Sequence, residues 1–170
     1  MKRLYILRHA PAGKRDPERW PNDDDRPVSQ PGRRKMQAAA RGIEKLGIEP
    51  RLILTSPLAR ARQTARLLAM ALGPSASCSQ VDWLRPETRE TETVRRLHEA
   101  TNGDMVLVGH EPHLTGLMAV LMSPGPDGVR ISLKKGGFCR IDFEDEIRPG
   151  AGSLIYLLTP RILRRLAPKI

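Results

Sequence analysis

Aromatic side chains are scarce in this sequence, at 4 % of residues, and the only cysteines are Cys78 and Cys139. Such a pair supplies neither a zinc-ligand spacing nor a disulfide framework, so a reducing compartment is expected. No apolar run approaches the roughly 18–20 residues needed to span a bilayer. The opening MKRLYILRHA is basic and briefly apolar, but the apolar stretch stops at Arg8. A signal peptide needs a longer apolar region and a small-residue cleavage site, so these residues read as a first strand. A cytoplasmic location with no membrane partner is the expectation. There is no internal repeat, no low-complexity tract, and no Walker A lysine.

Acidic residues are the minority charge. Asp+Glu number 19 against 29 Lys+Arg, giving a formal charge of +10. The basic residues are spread along the chain and not interleaved with aromatics, so single-stranded nucleic acid is not an expected partner. The surplus reads as an arginine-rich composition, or as a general attraction for anionic substrates. Hydrophobic residues at 39 % and charged residues at 28 % belong to a globular chain with enough material for a core.

Strand and helix signals alternate. Residues Arg3–Leu7 read as a buried strand, followed by a polar loop over Gly13–Arg26. Ser29 caps a helix running from about Pro31 to Leu46, in which Met36, Ala39, Ala40, Ile43 and Leu46 keep helical spacing, and Gly47 ends it. Leu52–Thr55 is a strand, Pro57 starts a helix to about Leu72, and Cys78–Trp83 is a third strand. Glu90–Ala100 is a helix and Met105–Val108 an uninterrupted apolar strand of the doubly covered, parallel type. Pro112 opens a helix to about Met122, and Pro124–Gly128 is a turn. Phe138–Phe143 and Ser153–Leu158 are closing strands, and Arg161–Leu166 is a terminal helical turn. The pattern predicts one domain over residues 1–170: an α/β three-layer sandwich with a mostly parallel central sheet flanked by helices.

Three strand ends concentrate the chemistry: Arg8-His9, Thr55-Ser56-Pro57 and Gly109-His110-Glu111-Pro112. Open α/β sheets bind ligands beyond the carboxyl ends of their strands, so these stretches should meet in one crevice. Pro57 and Pro112 sit where helices begin, and helix N-termini favour anions. Arg60 lies on the first turn of its helix. Arg8, Arg60, His9 and His110 together make a phosphate pocket, since a guanidinium fork holds two phosphate oxygens at once. With no aspartate or cysteine nucleophile motif, an imidazole nitrogen is left to form a covalent phosphoryl intermediate. His9, beside Arg8, is the better candidate. His110, in its protonated form, would donate to the phosphate.

At these residues the sequence resembles the histidine phosphatase superfamily, in the branch shared with phosphoglycerate mutase. LYILRHAPA is similar to its first motif. TSPLARARQTA is similar to the second, with Ser56, Pro57, Arg60 and Thr64 in register, and VLVGHEPHL to the motif around the second histidine. RPVSQPG at Arg26–Gly32, the ending PGAGSLIYLLTPR and the short length look most like the SixA type, the phosphohistidine phosphatases. The resemblance runs from about Leu4 to Arg161. It implies a phosphoglycerate mutase-like fold, phosphoryl transfer to His9, and oxygens held by Arg8, Arg60 and His110, with Ser56 either a phosphate contact or a helix cap. Water then releases inorganic phosphate. No metal or organic cofactor is implied. The chain departs from the family at Ala10, where glycine is usual. Larger members carry an acid for the leaving group. Glu87, in LRPE, stands at about the right place, and a nitrogen leaving group makes such an acid less necessary.

The remaining polar residues have plainer readings. His113 lines the pocket or starts its helix and does not match a metal spacing with His110. His98, Arg62 and Arg66 are surface residues. Asp23–Asp25 is a solvated loop or an acidic lid against anionic small molecules, and Lys134–Gly137 is a turn or a substrate contact. The substrate class expected from the resemblance is a phosphohistidine-bearing protein. The alternatives are a small phosphorylated metabolite, acted on by a phosphomonoesterase of the same superfamily, and a non-catalytic phosphate-binding module.

Overall fold

The computed structural model describes residues 1–74, 77–100, 103–123 and 128–168. The strands are β1 (Lys2–Arg8), β2 (Leu52–Thr55), β3 (Ser77–Gln80), β4 (Met105–Gly109), β5 (Phe138–Phe143) and β6 (Ser153–Leu158). The helices are α1 (Gln30–Glu44), α2 (Ala59–Leu72), α3 (Glu90–Glu99), α4 (His113–Met122) and α5 (Pro160–Leu166), with short 3₁₀ turns at Asp23–Asp25 and Asp82–Leu84. One six-stranded sheet has the order β3-β2-β4-β1-β5-β6. β3, β2, β4 and β1 run parallel to one another, β5 pairs antiparallel with β1, and β6 pairs antiparallel with β5.

The central strands are apolar on both faces because both faces are covered. From β1 and β4, Leu4, Ile6, Met105 and Leu107 pack with Val94, Leu97, Leu114 and Leu117 of α3 and α4. The alternate residues Tyr5, Leu7, Val106 and Val108 pack with Met36, Ile43, Leu68 and Leu163 of α1, α2 and α5. The result is the expected three-layer α/β sandwich.

Two element starts differ from the sequence reading. Pro112 is the cap of α4, not its first helical residue, and Pro57 lies two residues before α2, whose cap is Leu58. In both places proline still removes an N–H that no helix carbonyl would have accepted. The third strand is shorter than Cys78–Trp83. It is an exposed edge strand paired only with β2, and the chain turns into the 3₁₀ segment at Asp82. Ser29 caps α1 as expected, its hydroxyl accepting from the Gly32 N–H at 3.1 Å. Lys134–Gly137 is a turn with Gly136 at φ +76. The turn expected over Pro124–Gly128 falls largely outside the described residues.

Candidate active site

Parallel register builds the site. Arg8 on β1 pairs with Gly109 on β4, so His9 and His110 leave adjacent strands side by side. The His9 N–H donates to the Gly109 carbonyl at 3.0 Å, and the two imidazole centroids are 5.0 Å apart. On the other side of β4, the Ser56 N–H donates to the Val108 carbonyl at 3.0 Å. The Ser56 hydroxyl and His110 Nε2 are hydrogen-bonded at 2.9 Å. Ser56 is therefore the direct partner of His110, and its contact with the Leu58 N–H at 3.4 Å is the weaker of the two.

His9 is 6 % exposed, and its Nδ1 lies 2.7 Å from the carbonyl oxygen of Ala10. A carbonyl only accepts, so Nδ1 carries the proton and Nε2 carries the free lone pair. Burial, reinforced by the nearby charges of Arg60, Arg8 and Lys135, pushes the imidazole down to about 3. The same loop is tied to α2. The Ala10 N–H donates to the Thr64 hydroxyl at 2.9 Å, and that hydroxyl donates to the Arg60 carbonyl at 2.7 Å.

The arginines flank this pair. Arg8 Nη1 donates to the Leu133 carbonyl at 2.7 Å. Arg60 is 7 % exposed, and its Nη1 donates to the Asp23 carbonyl at 2.9 Å while the Asp23 carboxylate lies at 3.3 Å. Among the described residues, Arg8 Nε, Arg60 Nε and His110 Nδ1 are buried with no hydrogen-bond partner. Cations held this way, with donors unspent, suit an anionic ligand.

His110 departs from the expected protonated form. Burial, then the neighbouring His9, Arg60, His113 and Arg8, push it down to about 2, so the ring is neutral near neutral pH. The chief cause is the dry crevice, which disfavours a charged ring, and the cations around it add to the penalty. A neutral ring still offers one N–H.

Asp23–Asp25 is not merely a solvated loop. Besides its contacts with Arg60, the Asp23 carboxylate accepts from Arg26 Nε at 2.8 Å, and Asp24 accepts from Arg85 at 2.8 Å. Arg26 holds the Asp23 carboxyl below the usual carboxylate range, with burial opposing. No local pattern announces this segment, because its partners Arg60 and Arg85 are remote in sequence. Glu87 is exposed and 3.9 Å from Arg85, and it is near enough to His113 for its charge to act there. His113 starts α4, as expected, and is buried there. Its Nε2 is 2.9 Å from the Thr93 hydroxyl, which itself donates to the Trp83 carbonyl at 2.8 Å. Thr93 thus accepts from Nε2–H, leaving Nδ1 unprotonated. Arg62 is half-buried, not fully solvated, while Arg66 is exposed.

Residues 4–85 match the model of the histidine phosphatase superfamily (branch 1). An uncharacterised protein of Picosynechococcus sp. is 38 % identical over 138 residues, covering 79 % of this chain and 81 % of the relative. Among solved structures, the protein histidine phosphatase SixA complexed with tungstate superposes with a TM-score of 0.81 at 22 % identity, over 95 % of this chain and 99 % of that one. Phosphoserine phosphatase of Entamoeba histolytica gives a TM-score of 0.69 at 14 % identity, over 96 % and 100 %. At these identities the structural matches speak to the fold.

Proposed function

The chain belongs to the histidine phosphatase superfamily and is a phosphatase, and from that premise we propose that it hydrolyses a phosphoprotein's phosphohistidine through a phosphoryl intermediate on His9. The observation that carries this reading is the His9 tautomer. Nδ1–H is spent on the Ala10 carbonyl, which leaves the Nε2 lone pair as the nucleophile, uncharged at working pH.

In the proposed reaction, Nε2 attacks phosphorus, and a P–Nε2 bond forms as the bond to the leaving nitrogen breaks. The leaving imidazole keeps the electron pair and departs neutral, because its other ring nitrogen already carries a proton from solvent. Arg8 and Arg60 offset the charge on the equatorial oxygens, where phosphoryl transfer needs stabilisation, and the neutral His110 ring donates its one N–H there. Ser56 orients His110 through the 2.9 Å hydrogen bond. Water then attacks phosphorus, the P–Nε2 bond breaks, and inorganic phosphate leaves. Every group used is a side chain or water.

Phosphohistidine is favoured as substrate class by the position of Glu87. Its carboxylate is exposed and turned to Arg85 at 3.9 Å, so it is not an enclosed acid standing ready for an alkoxide leaving group. A protonated imidazole leaves without that help. The SixA likeness agrees with this choice, and SixA is described as a protein histidine phosphatase. The second reading, a small-molecule phosphomonoesterase, draws on the fold shared with phosphoserine phosphatase and would recruit Glu87 as the acid.

The test is mass spectrometry under non-acidic quench after mixing with a phosphohistidine-bearing protein. The wild type should gain a phosphate mass that maps to His9, and His9→Ala should gain none and lose roughly 10³–10⁶-fold in kcat. No adduct and no phosphate release from that protein, with brisk hydrolysis of alkyl phosphates that Glu87→Gln abolishes, would establish the second reading instead.

A further inference from the structure

A cavity of about 240 Å³ opens between α1, α5 and the turn at Gly136, beside the candidate active site. Its floor is apolar, with Ala10, Met36 and Pro160, and Ala10 and Met36 are almost fully buried. Its rim carries Lys35 from α1, Lys135 from the turn and Arg164 from α5, and no Asp or Glu lines it among the described residues. Nor does any of these three cations have a hydrogen-bond or ion-pair partner among the described residues. Many basic residues of this chain lack an ion pair, and what marks this place is convergence: three cations from α1, the Gly136 turn and α5 meet at the rim of one cavity with an apolar floor and no carboxylate among its described lining residues.

The cavity touches the chemistry through one residue. Ala10 lines it, and the Ala10 carbonyl is the group that sets the His9 tautomer. Lys135 is close enough for its charge to act on His9.

We propose that this cavity seats an acidic side chain of the phosphoprotein substrate, so that Lys35, Lys135 and Arg164 recognise a carboxylate on the protein surface that presents its phosphoryl group to His9. This inference rests on the phosphohistidine reading above. The volume suits one Asp or Glu side chain with its stem on Met36 and Pro160 and its head among the cations. A ligand that reaches both sites must extend around Ala10, which a folded protein surface does and a compact metabolite does not. Rim charges of this kind act on encounter and on selection among partners, and attraction at the rim is screened by salt.

Lys35 is exposed and Arg164 half-buried at the surface, so both tolerate substitution. The experiment compares wild type, Lys35→Gln/Arg164→Gln and Lys35→Glu/Arg164→Glu on two substrates: an acidic phosphohistidine-bearing carrier protein and inorganic phosphoramidate, which has a P–N bond but no carboxylate. Circular dichroism checks the fold of each variant. The ratio of kcat/KM for carrier over phosphoramidate should fall in the order wild type, Gln, Glu, by about tenfold or more for the Glu pair, mainly through KM. Raising the salt should shrink the difference. An unchanged ratio in the Glu pair, or an equal loss on both substrates, overturns the acidic-partner inference while leaving the phosphohistidine reading standing. Failure of wild type to release phosphate from either P–N substrate removes that reading and this inference with it.

Discussion

At the scale of single residues, the proposed nucleophile His9 is held in place through a buried threonine, Thr64. Thr64 is fully buried, accepts from the Ala10 N–H and donates to the Arg60 carbonyl. It thereby joins the loop that sets the His9 tautomer to the helix that carries Arg60. Removing the hydroxyl leaves the buried Ala10 N–H unpaired, at a cost of about 1–3 kcal/mol. Thr64→Val should lose that much stability by urea unfolding. Because a 1 Å misplacement of a reacting group costs about 10²-fold in rate, kcat should fall between about tenfold and a hundredfold with KM changing less. Thr64→Ser keeps the hydroxyl and should recover most of kcat. A Ser variant as slow as the Val one would show that the methyl group, not the hydrogen bond, matters. In the sequence, Thr64 is visible as part of a motif and one helical turn beyond Arg60, but its role is not, because the Ala10 partner comes from another strand end.

At the scale of elements, legibility follows the range of the interactions. β1, β2 and β4 were readable as strands because their apolar runs are covered on both faces. The row His9, Ser56, His110 followed from strand ends plus parallel register. β3 was overextended because an exposed edge strand, with all four residues exposed, has no burial pattern to mark its end. The docking of Asp23 onto Arg60 was unreadable, since two surface-type residues distant in sequence leave no periodic trace. The α1–α5 contact was equally hidden. Gly42 lies where a Cβ would sit 1.8 Å from the Leu163 carbonyl oxygen, a backbone atom that cannot swing away. Gly42→Ala should thus separate the two helices and cost about 1–3 kcal/mol, even though alanine is the better helix former by up to about 1 kcal/mol. A gain in thermal stability would mean that α5 shifts freely against α1. Because α1 and α5 also wall the proposed carboxylate cavity, the same variant should weaken the carrier-protein KM.

For the molecule as a whole, the buried imidazoles make stability depend on pH. His9 is pushed down to about 3 and His110 to about 2, chiefly by burial, and His113 is lowered by burial as well. Their unfolded values are about 6.5. A folded value below the unfolded one means that, under pH 6.5, the unfolded chain takes up protons at these sites while the native chain does not. Stability is then full above about pH 6.5 and falls as the pH drops, until the native rings also protonate near 3. Each such imidazole contributes about 1.4 kcal/mol per pH unit, so His9 and His110 together give roughly 3 kcal/mol per unit. Asp23, held low chiefly by Arg26, acts in the same direction, but only once the pH falls below the unfolded carboxylate value near 4. The window from pH 6.5 to 5 therefore isolates the histidines. Urea unfolding across it should show a steep loss for wild type, and His9→Asn should reduce the slope by about one proton while leaving that of His110. A flat profile between pH 6.5 and 5 would mean that the imidazoles gain protons in the native state, so that His9 is partly cationic at the acid end and unfit there for the proposed nucleophilic role. The basic surplus of +10 adds a second pressure in the same direction. Arg8 and Arg60 carry their charge throughout this window while the crevice histidines stay neutral, so an anion bound there offsets the same two cations at every pH in it. Added phosphate should accordingly raise the whole urea profile between pH 6.5 and 5, and an unmoved profile would mean that the crevice does not hold the anion.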